Sequence, residues 1–452
     1  MDLKNKHVLV VGLGRSGIAT ARFLCRQGAV VTVADQRGED ALKDALAAVR
    51  PLGVSLALGP HPPEIFERCD LIVLSPGVAH TLAPLNRARE KGIPVIGEVE
   101  LAYHFIHIPI LAITGTNGKS TTTLLVAEML RHCGFRAVAG GNLGTPLMEL
   151  VDQQEGTNFI VAEISSFQLD TIERFKPLVS VILNITDDHL DRYADFDAYA
   201  RSKARIFENQ GPAEVCVINE ADPTVLSVSE NLKARRFAFN CREFNESRAW
   251  ISDQTICFHT PELGDQYVDC TDIPLTGRHN LENAAAAGLA VLAVGGAVSG
   301  IKSALAGFKG LSHRMEYVDT VGGVRFYDDS KATNVDAVVR ALESFASPVV
   351  LIMGGRDKGG AYDSLIDPIR RCVKQVIVLG EAAGIIMSAL KDCVKIVRVP
   401  DMAGAVATAK EVAEEGDTVL LSPACSSFDI YESYARRGED FARRVKEGEN
   451  RG

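Results

Sequence analysis

An α/β fold in three domains is what this 452-residue chain predicts. Three observations carry that expectation. Short runs rich in Val, Ile and Leu alternate with helical patterns along the whole sequence. Nearly every run ends in Gly, Ser, Pro or an acidic residue, as parallel strands do at the edge where ligands collect. The length also exceeds what one core supports, since domains run about 100–200 residues. The expected units are 1–97, 98–309 and 310–452.

The first unit opens with H-V-L-V-V-G-L-G-R-S-G-I-A-T-A-R-F-L and continues with A-V-V-T-V-A-D. This is a βαβ pattern with Gly12, Gly14 and Gly17 in G-x-G-x-x-G spacing and Asp35 closing the second strand, so a Rossmann-like domain is expected. A third strand ends at Ser75-Pro76-Gly77 and a fourth is read in K-G-I-P-V-I-G. Three loops at the open edge of this sheet would then meet one extended ligand.

The second unit opens with I-P-I-L-A-I-T-G-T-N-G-K-S-T-T-T-L-L, a strand breaking into a glycine turn and then a helix. Backbone N–H groups, a helix N-terminus, Lys119 and a Mg²⁺-ligating Ser120 each answer a charge on a nucleoside triphosphate, so a P-loop ATPase-like α/β domain binding ATP is expected. The pattern is not a full Walker motif, because Ile113 stands where the first glycine belongs and Gly115 comes two residues later.

Glu163 and His189 follow strands and should face the triphosphate. His189, in D-D-H-L-D-R, is read as a ligand to Mg²⁺ because Asp187, Asp188 and Asp191 crowd its loop. Lys203, on a helical pattern with Arg201 and Arg205, reads from spacing alone as part of a solvated basic face. An ammonium has no lone pair for a metal, although a lysine carrying CO₂ as a carbamate does.

The third unit repeats the alternation, and a second open parallel sheet, again Rossmann-like, is expected. Its strand ends at 327–334, 354–358 and 422–427 are dense in charge and hydroxyls, which favours a binding site over bland turns. Cys425, without a nearby histidine in sequence, reads as packing and not as a nucleophile.

The bulk numbers restrict the partners. With 46% hydrophobic and 23% charged residues the chain reads as an ordinary folded protein, with only its last few residues polar enough for a disordered tail. A net charge of −10 argues against nucleic acid, whose binding draws on clustered Lys and Arg. The N-terminal apolar run is cut by Gly12 and Gly14, so no secretory signal is expected. The longest apolar run, 284–298, falls short of the roughly 20 residues that cross a bilayer and suits a buried helix. Ten cysteines stand without a C-x-x-C pair, as reduced thiols in a cytoplasmic protein do.

Two other readings compete. A nicotinamide oxidoreductase accounts for the first glycine motif and Asp35 but leaves the phosphate loop unexplained. An ATP-dependent switch or binding module accounts for the phosphate loop but not for the polar strand ends of the third unit.

Taken in order, G-L-G-R-S-G, S-P-G, G-T-N-G-K-S-T-T-T, G-G-N-L-G-T-P, E-I-S-S-F-Q-L, N-I-T-D-D-H-L-D-R, S-K-A-R-I, G-R-H-N-L-E-N, L-S-H-R-M-E, D-S-K-A-T-N and L-S-P-A-C-S-S resemble the Mur ligases of peptidoglycan synthesis over nearly the whole length. A diaminopimelate-adding member would be expected to carry D-N-P-R in the last domain, which is absent here, and folylpolyglutamate synthetases resemble only the last two domains. The dinucleotide-like first unit fits the member that adds D-glutamate to UDP-N-acetylmuramoyl-L-alanine.

The resemblance implies ATP and two Mg²⁺ ions as cofactors and a monomeric cytoplasmic enzyme. Gly115, Thr116, Asn117, Gly118, Lys119, Ser120 and Thr121 would hold the phosphates, with Asn283, Arg314 and Asp329 completing the ATP site. Glu163 would hold one Mg²⁺ with Ser120, and His189 with a carbamylated Lys203 a second; Lys119, Glu163, His189 and Lys203 are the implied catalytic residues. Gly14, Arg15, Ser16, Asp35, Arg37, Ser75, Gly77 and Asn142 would seat the UDP-sugar. Thr333, Lys358, Ser427 and Tyr434 would receive D-glutamate. Because water destroys an acyl phosphate, the third unit is expected to close over the second, from an open form without ATP.

Overall fold

The computed structural model describes every residue except 191, 244–245, 272, 274–276, 346–347 and 448–452. Three sheets form in chain order. The first is five-stranded and wholly parallel, with Ser55–Leu58, Val30–Asp35, His7–Val11, Leu71–Leu74 and Val95–Gly97 side by side in that order. Its order reverses beside His7–Val11, and the crevice at such a reversal is where open α/β sheets bind ligands. The sequence reading found four of these strands. The missing one, Ser55–Leu58, lies at the sheet edge, only partly buried, and is too short and weakly patterned to stand out.

Nine strands build the second sheet. Seven run parallel, from Ala137–Gly141 through Ile110–Thr114 to Arg248–Ser252, and the antiparallel strands Thr255–Thr260 and Gly264–Asp269 extend one edge. The central strand Ile110–Thr114 is buried at every position, so its unbroken apolar run reflects cover on both faces. Helices Lys119–His132 and Arg278–Leu292 pack on one face. The alanine run from Ala284 to Ala287 lets the second helix approach closely and is fully buried, but the buried helix expected over 284–298 ends at Leu292, and a turn leads to a separate helix at Val298–Gly307. No helix among the described residues is long and apolar enough to cross a membrane.

The third sheet corrects one expectation. Five strands are parallel, but Glu316–Val321 pairs antiparallel with Val324–Asp328 at the edge, so the sheet is mixed. The Gly322-Gly323 turn, with φ of 58° and 76°, makes that hairpin, and a two-residue glycine turn with both φ positive is the usual signal for one.

The cores are unequally shared. One apolar cluster runs from Val8, Val10 and Val33 of the first sheet through Leu101, Ala102 and Ile106 to Ile160, Ile182 and Ile218 of the second. The helix Glu98–Tyr103 sits at this junction. Its buried Glu100 accepts backbone N–H bonds from Glu173, Arg174 and Phe175 at 2.8, 3.0 and 3.0 Å. The clusters on the two faces of the third sheet contain no residue of the other units.

Candidate functional site

Strand Ile110–Thr114 delivers the chain into a turn whose glycines take φ of 149° at Gly115 and 85° at Gly118. At Gly118 a Cβ would stand 2.3 Å from Asn283 Oδ1, so the position tolerates only glycine. Helix Lys119–His132 starts at once, with its first N–H groups facing the turn. The loop is held from below by the neighbouring strand end. Asn184 accepts from the N–H of Thr116 through its backbone oxygen at 2.9 Å and from that of Asn117 through Oδ1 at 2.8 Å.

Lys119 Nζ donates to the carbonyl oxygens of Gly115 and Thr116, both at 2.8 Å, which folds the ammonium over its own loop. Ser120 Oγ donates to Glu163 Oε2 at 2.6 Å, and Asn142 Nδ2 to Glu163 Oε1 at 2.6 Å. Glu163 ends strand Phe159–Glu163 at 3% exposure. Burial opposes its ionisation, but the Lys119 charge and the two hydrogen bonds outweigh that and hold its pKa below the ordinary value. A buried carboxylate beside a serine hydroxyl is an oxygen donor set suited to a hard cation, and the neighbouring lysine suits phosphate oxygens.

His189 adopts φ of 57°, in the left-handed region, within the loop after strand Val179–Ile182. Its ring meets Phe167 edge to face at 4.8 Å. Burial lowers its pKa to about 4, opposed by Asp188 and reinforced by Lys358, Lys119 and Lys203. The imidazole is therefore neutral near pH 7 and keeps a lone pair for a metal. Asp188 shares that loop, while Asp191 lies outside the described residues.

Lys203 overturns the spacing-based reading of a solvated face. It is 2% exposed, on helix Phe196–Ala204, with Nζ donating to Gly115 O at 2.8 Å and lying 4.6 Å from the centre of the Tyr199 ring. Burial, then the nearby Lys119 charge, pushes its pKa well below the ordinary lysine value. That shift favours the neutral amine, the species that takes up CO₂, and so suits a carbamate at this position.

A cleft of about 620 Å³ joins these residues to the third unit. Lys119, Ser120, Asn142, Glu163, His189 and Lys203 line one wall, and Arg314, Thr333, Lys358, Ser427 and Tyr434 the other. Lys358 Nζ is paired with Asp188 Oδ1 at 2.8 Å, and Arg314 Nη2 donates to Ser120 Oγ at 3.1 Å. Next to the cleft lies a narrower cavity of about 70 Å³, lined in part by Asn117, Gly118, Thr121, Asn283, Arg314 and Asp329. Burial raises Asp329 to about 7 despite a hydrogen bond from Ser422 Oγ at 2.9 Å.

The residues expected to seat the UDP-sugar divide. Asn142 stands at Glu163, in the cleft. The others gather at the C-terminal edge of the first sheet, where Gly14, Arg15 and Gly77 are exposed and Ser75 Oγ donates to Gly12 O at 2.8 Å. Gly17 is required here, since a Cβ would fall 1.9 Å from Gly12 O. Asp35 Oδ2 accepts from Leu13 N–H at 2.8 Å and from Arg37 Nη2 at 2.8 Å, while Oδ1 accepts from the N–H of Arg37 at 2.9 Å and its Nε at 3.0 Å. Burial opposes its ionisation, yet these bonds bring its pKa down to about 2. The acceptor positions that the adenosine ribose of a dinucleotide would need are thus already filled, which removes the main support for an oxidoreductase.

Comparison with known proteins agrees with this geometry. Three domain models match in chain order: the MurD-like N-terminal domain of Mur ligases over residues 6–97, the Mur ligase middle domain over 113–291 and the Mur ligase glutamate ligase domain over 313–425. The chain belongs to the Mur ligase family. A UDP-N-acetylmuramoylalanine–D-glutamate ligase of Desulfosudis oleivorans is 50% identical over 446 residues, 99% of this chain and 97% of that protein. One of the same name from Desulfatibacillum aliphaticivorans is 48% identical over 445 residues, 98% of this chain and 99% of that protein. A pseudomurein peptide ligase type C from Methanothermus fervidus shares the fold with a TM-score of 0.62 at 20% identity, covering 98% of this chain and 100% of that one.

In this Mur ligase the sequence reading missed several cleft residues. Lys331 lines both cavities, with Nζ 3.8 Å from the centre of the Tyr434 ring. Phe428, 65% exposed, stands on the cleft beside Ser427. Arg192 stacks its guanidinium 4.7 Å from the centre of Phe167. Lys331 lay inside a strand-end motif already read as a site and was recoverable. Phe428 and Arg192 become visible only once the third dimension brings them to the cleft. Cys425 is fully buried against the Tyr362 hydroxyl at 3.1 Å, in keeping with packing.

Proposed function

We propose that this chain joins D-glutamate to UDP-N-acetylmuramoyl-L-alanine in peptidoglycan precursor synthesis, driven by ATP through an acyl phosphate. The observation that carries the reading is the single cleft in which Lys119, Ser120 and Glu163 face Lys358 and Ser427. The names of the relatives at 50% and 48% identity support the substrates. A monomer in a reducing, cytoplasmic compartment belongs to the same reading, and the ten free cysteines support the reducing compartment.

The chemistry explains why both walls are needed. A carboxylate is a poor electrophile, so an oxygen of the L-alanine carboxylate attacks the γ-phosphorus of ATP and ADP leaves. The neutral amine of D-glutamate then attacks the acyl carbon, and phosphate departs from the tetrahedral intermediate. Lys119 offsets the negative charge that gathers when two anions meet, and the N-terminus of helix Lys119–His132 orients the phosphates. Glu163 with Ser120, and neutral His189 with a carbamylated Lys203, would hold two Mg²⁺ ions. Bound Mg²⁺ would supply further charge neutralisation at the phosphoryl oxygens.

On the opposite wall Lys358 would pair with a carboxylate of D-glutamate, with Thr333, Ser427 and Tyr434 completing its pocket. Arg37, held rigid by Asp35, would meet the nucleotide-sugar with Arg15 and Ser16 at the first helix N-terminus. Closure of the third unit over the second would exclude water from the acyl phosphate. The test is phosphate release with D-glutamate, L-glutamate and diaminopimelate compared. Release confined to D-glutamate supports the reading, and equal release with diaminopimelate overturns it.

A further inference from the structure

Helix Val335–Leu342 of the third unit begins directly over the phosphate loop, capped by Asn334, whose Oδ1 accepts from Ala337 N–H at 2.9 Å. Its first turn reaches across to the second unit. Asn117 Nδ2 donates to Asp336 Oδ2 at 2.8 Å and to Asn334 Oδ1 at 3.3 Å, and Asn334 Nδ2 returns a bond to Asn117 Oδ1 at 3.1 Å.

One turn on, Arg340 Nε donates to the same Asp336 oxygen at 3.0 Å, an i,i+4 pair. The other end of that guanidinium lies 3.7 Å from Glu282 Oε2 on helix Arg278–Leu292 of the second unit. Glu282 is adjacent to Asn283, the residue that packs against Gly118 of the phosphate loop. The contacts therefore form a closed ring: Asn117, Asp336, Arg340, Glu282 and back through Asn283 to the phosphate loop. Four of the five, Asn117, Arg340, Glu282 and Asn283, line the narrow cavity of about 70 Å³ beside the loop.

We infer that Asp336 and Arg340 are positioning residues that fasten the third unit over bound nucleotide and hold Asn117 of the phosphate loop in place. This rests on the reading of that loop as the ATP site. The ring has a physical advantage over an isolated surface pair. Arg340 and Glu282 are only 26% and 17% exposed at their side chains, so solvent screens them weakly, and the Asp336 carboxylate fixes the guanidinium before Glu282 engages it. Leaving the pocket requires the ring to open, so its strength governs nucleotide release and not the bond-making steps.

The experiment is stopped-flow dissociation of the fluorescent nucleotide methylanthraniloyl-ADP from the full chain and its variants. Arg340→Gln and Glu282→Gln are each expected to speed release about five- to tenfold, the range of a modest coupling between sites. The double variant should be no faster than either single one, because one ring is broken in both. Arg340→Lys, which keeps the charge toward Glu282 but loses the Nε bond to Asp336, should fall between Arg340→Gln and the parent. The KM for ATP should rise with kcat held, and the melting midpoint should not move, which separates positioning from a general structural role. Release from Arg340→Gln at the parent rate, or single effects that multiply in the double variant, overturns the inference. A Lys119→Ala variant that binds the probe as tightly as the parent instead refutes the nucleotide-site reading, and the ring falls with it.

Discussion

Lys203 Nζ and the carbonyl oxygen of Gly115 lie 2.8 Å apart, across the helix Phe196–Ala204 and the phosphate loop. The same oxygen also accepts from Lys119. Two lysines on one carbonyl in a buried wall are mutually repulsive, and burial lowers the pKa of both, that of Lys203 well below the ordinary lysine value. As a carbamate the residue becomes anionic and its conflict with Lys119 turns into attraction. We predict that Lys203→Ala lowers kcat about a thousandfold, the scale of losing one preorganised charge. Short carboxylic acids, which replace the missing anion, should partly restore it. Parent-like activity in the variant would remove the carbamate from the account.

Lys358 is expected to exchange partners during turnover. Its bond to Asp188 occupies the ammonium that a D-glutamate carboxylate would take. Lys358→Ala should raise the KM for D-glutamate about 10- to 100-fold, the loss of one charged hydrogen bond. The KM for ATP should stay within about twofold. Steady-state kinetics with each substrate varied in turn checks this, and an equal rise in both would assign Lys358 to domain contact alone.

Glu98 gives a pH dependence unrelated to catalysis. Its carboxyl is 2% exposed, accepts from Met148 N–H at 2.6 Å and leaves Oε2 without a partner. Burial raises its pKa from 4.5 to about 7. The folded state therefore holds this proton more tightly than the unfolded state. The stability this contributes is whole below about 4.5, falls as pH rises through the window and is gone above about 7. The loss amounts to about 3 kcal/mol. Urea unfolding across that window should show the decline, and Glu98→Gln, which cannot ionise, should flatten it. An unchanged slope would contradict the assignment.

Much of this arrangement was readable before folding. The phosphate loop announces itself because glycine, lysine and hydroxyl must follow a strand directly to wrap phosphate, a local requirement written in consecutive residues. Glu163 and the 327–334 and 354–358 loops were readable for the same reason, as polar ends of apolar strands. Lys203 was not, because Arg201 and Arg205 flank it and nothing in the spacing shows that one of these three basic residues turns inward. Ser55–Leu58 and Glu316–Val321 escaped because edge strands lack the buried alternation that marks central ones. The Asp336–Arg340 ring joins residues more than 200 positions from Asn117, and no local pattern encodes such a pairing.

The apolar cores indicate which unit could swing. A continuous cluster ties the first sheet to the second, while the third sheet has cores of its own and meets the second through polar contacts such as Lys358–Asp188 and Arg314–Ser120. Polar contacts of this kind open at modest cost in water, whereas splitting a core does not. Small-angle scattering should show a larger radius of gyration without ligands than with ATP, Mg²⁺ and both substrates. Identical curves would contradict a swinging third unit.

The most direct measurement is phosphate release from ATP and Mg²⁺ in four mixtures: alone, with UDP-N-acetylmuramoyl-L-alanine, with D-glutamate, and with both. The account predicts sustained release only in the complete mixture, accompanied by one equivalent of the amide product, and its loss in a Lys119→Ala variant. Sustained release without either substrate, or amide formation that persists without Lys119, would contradict it.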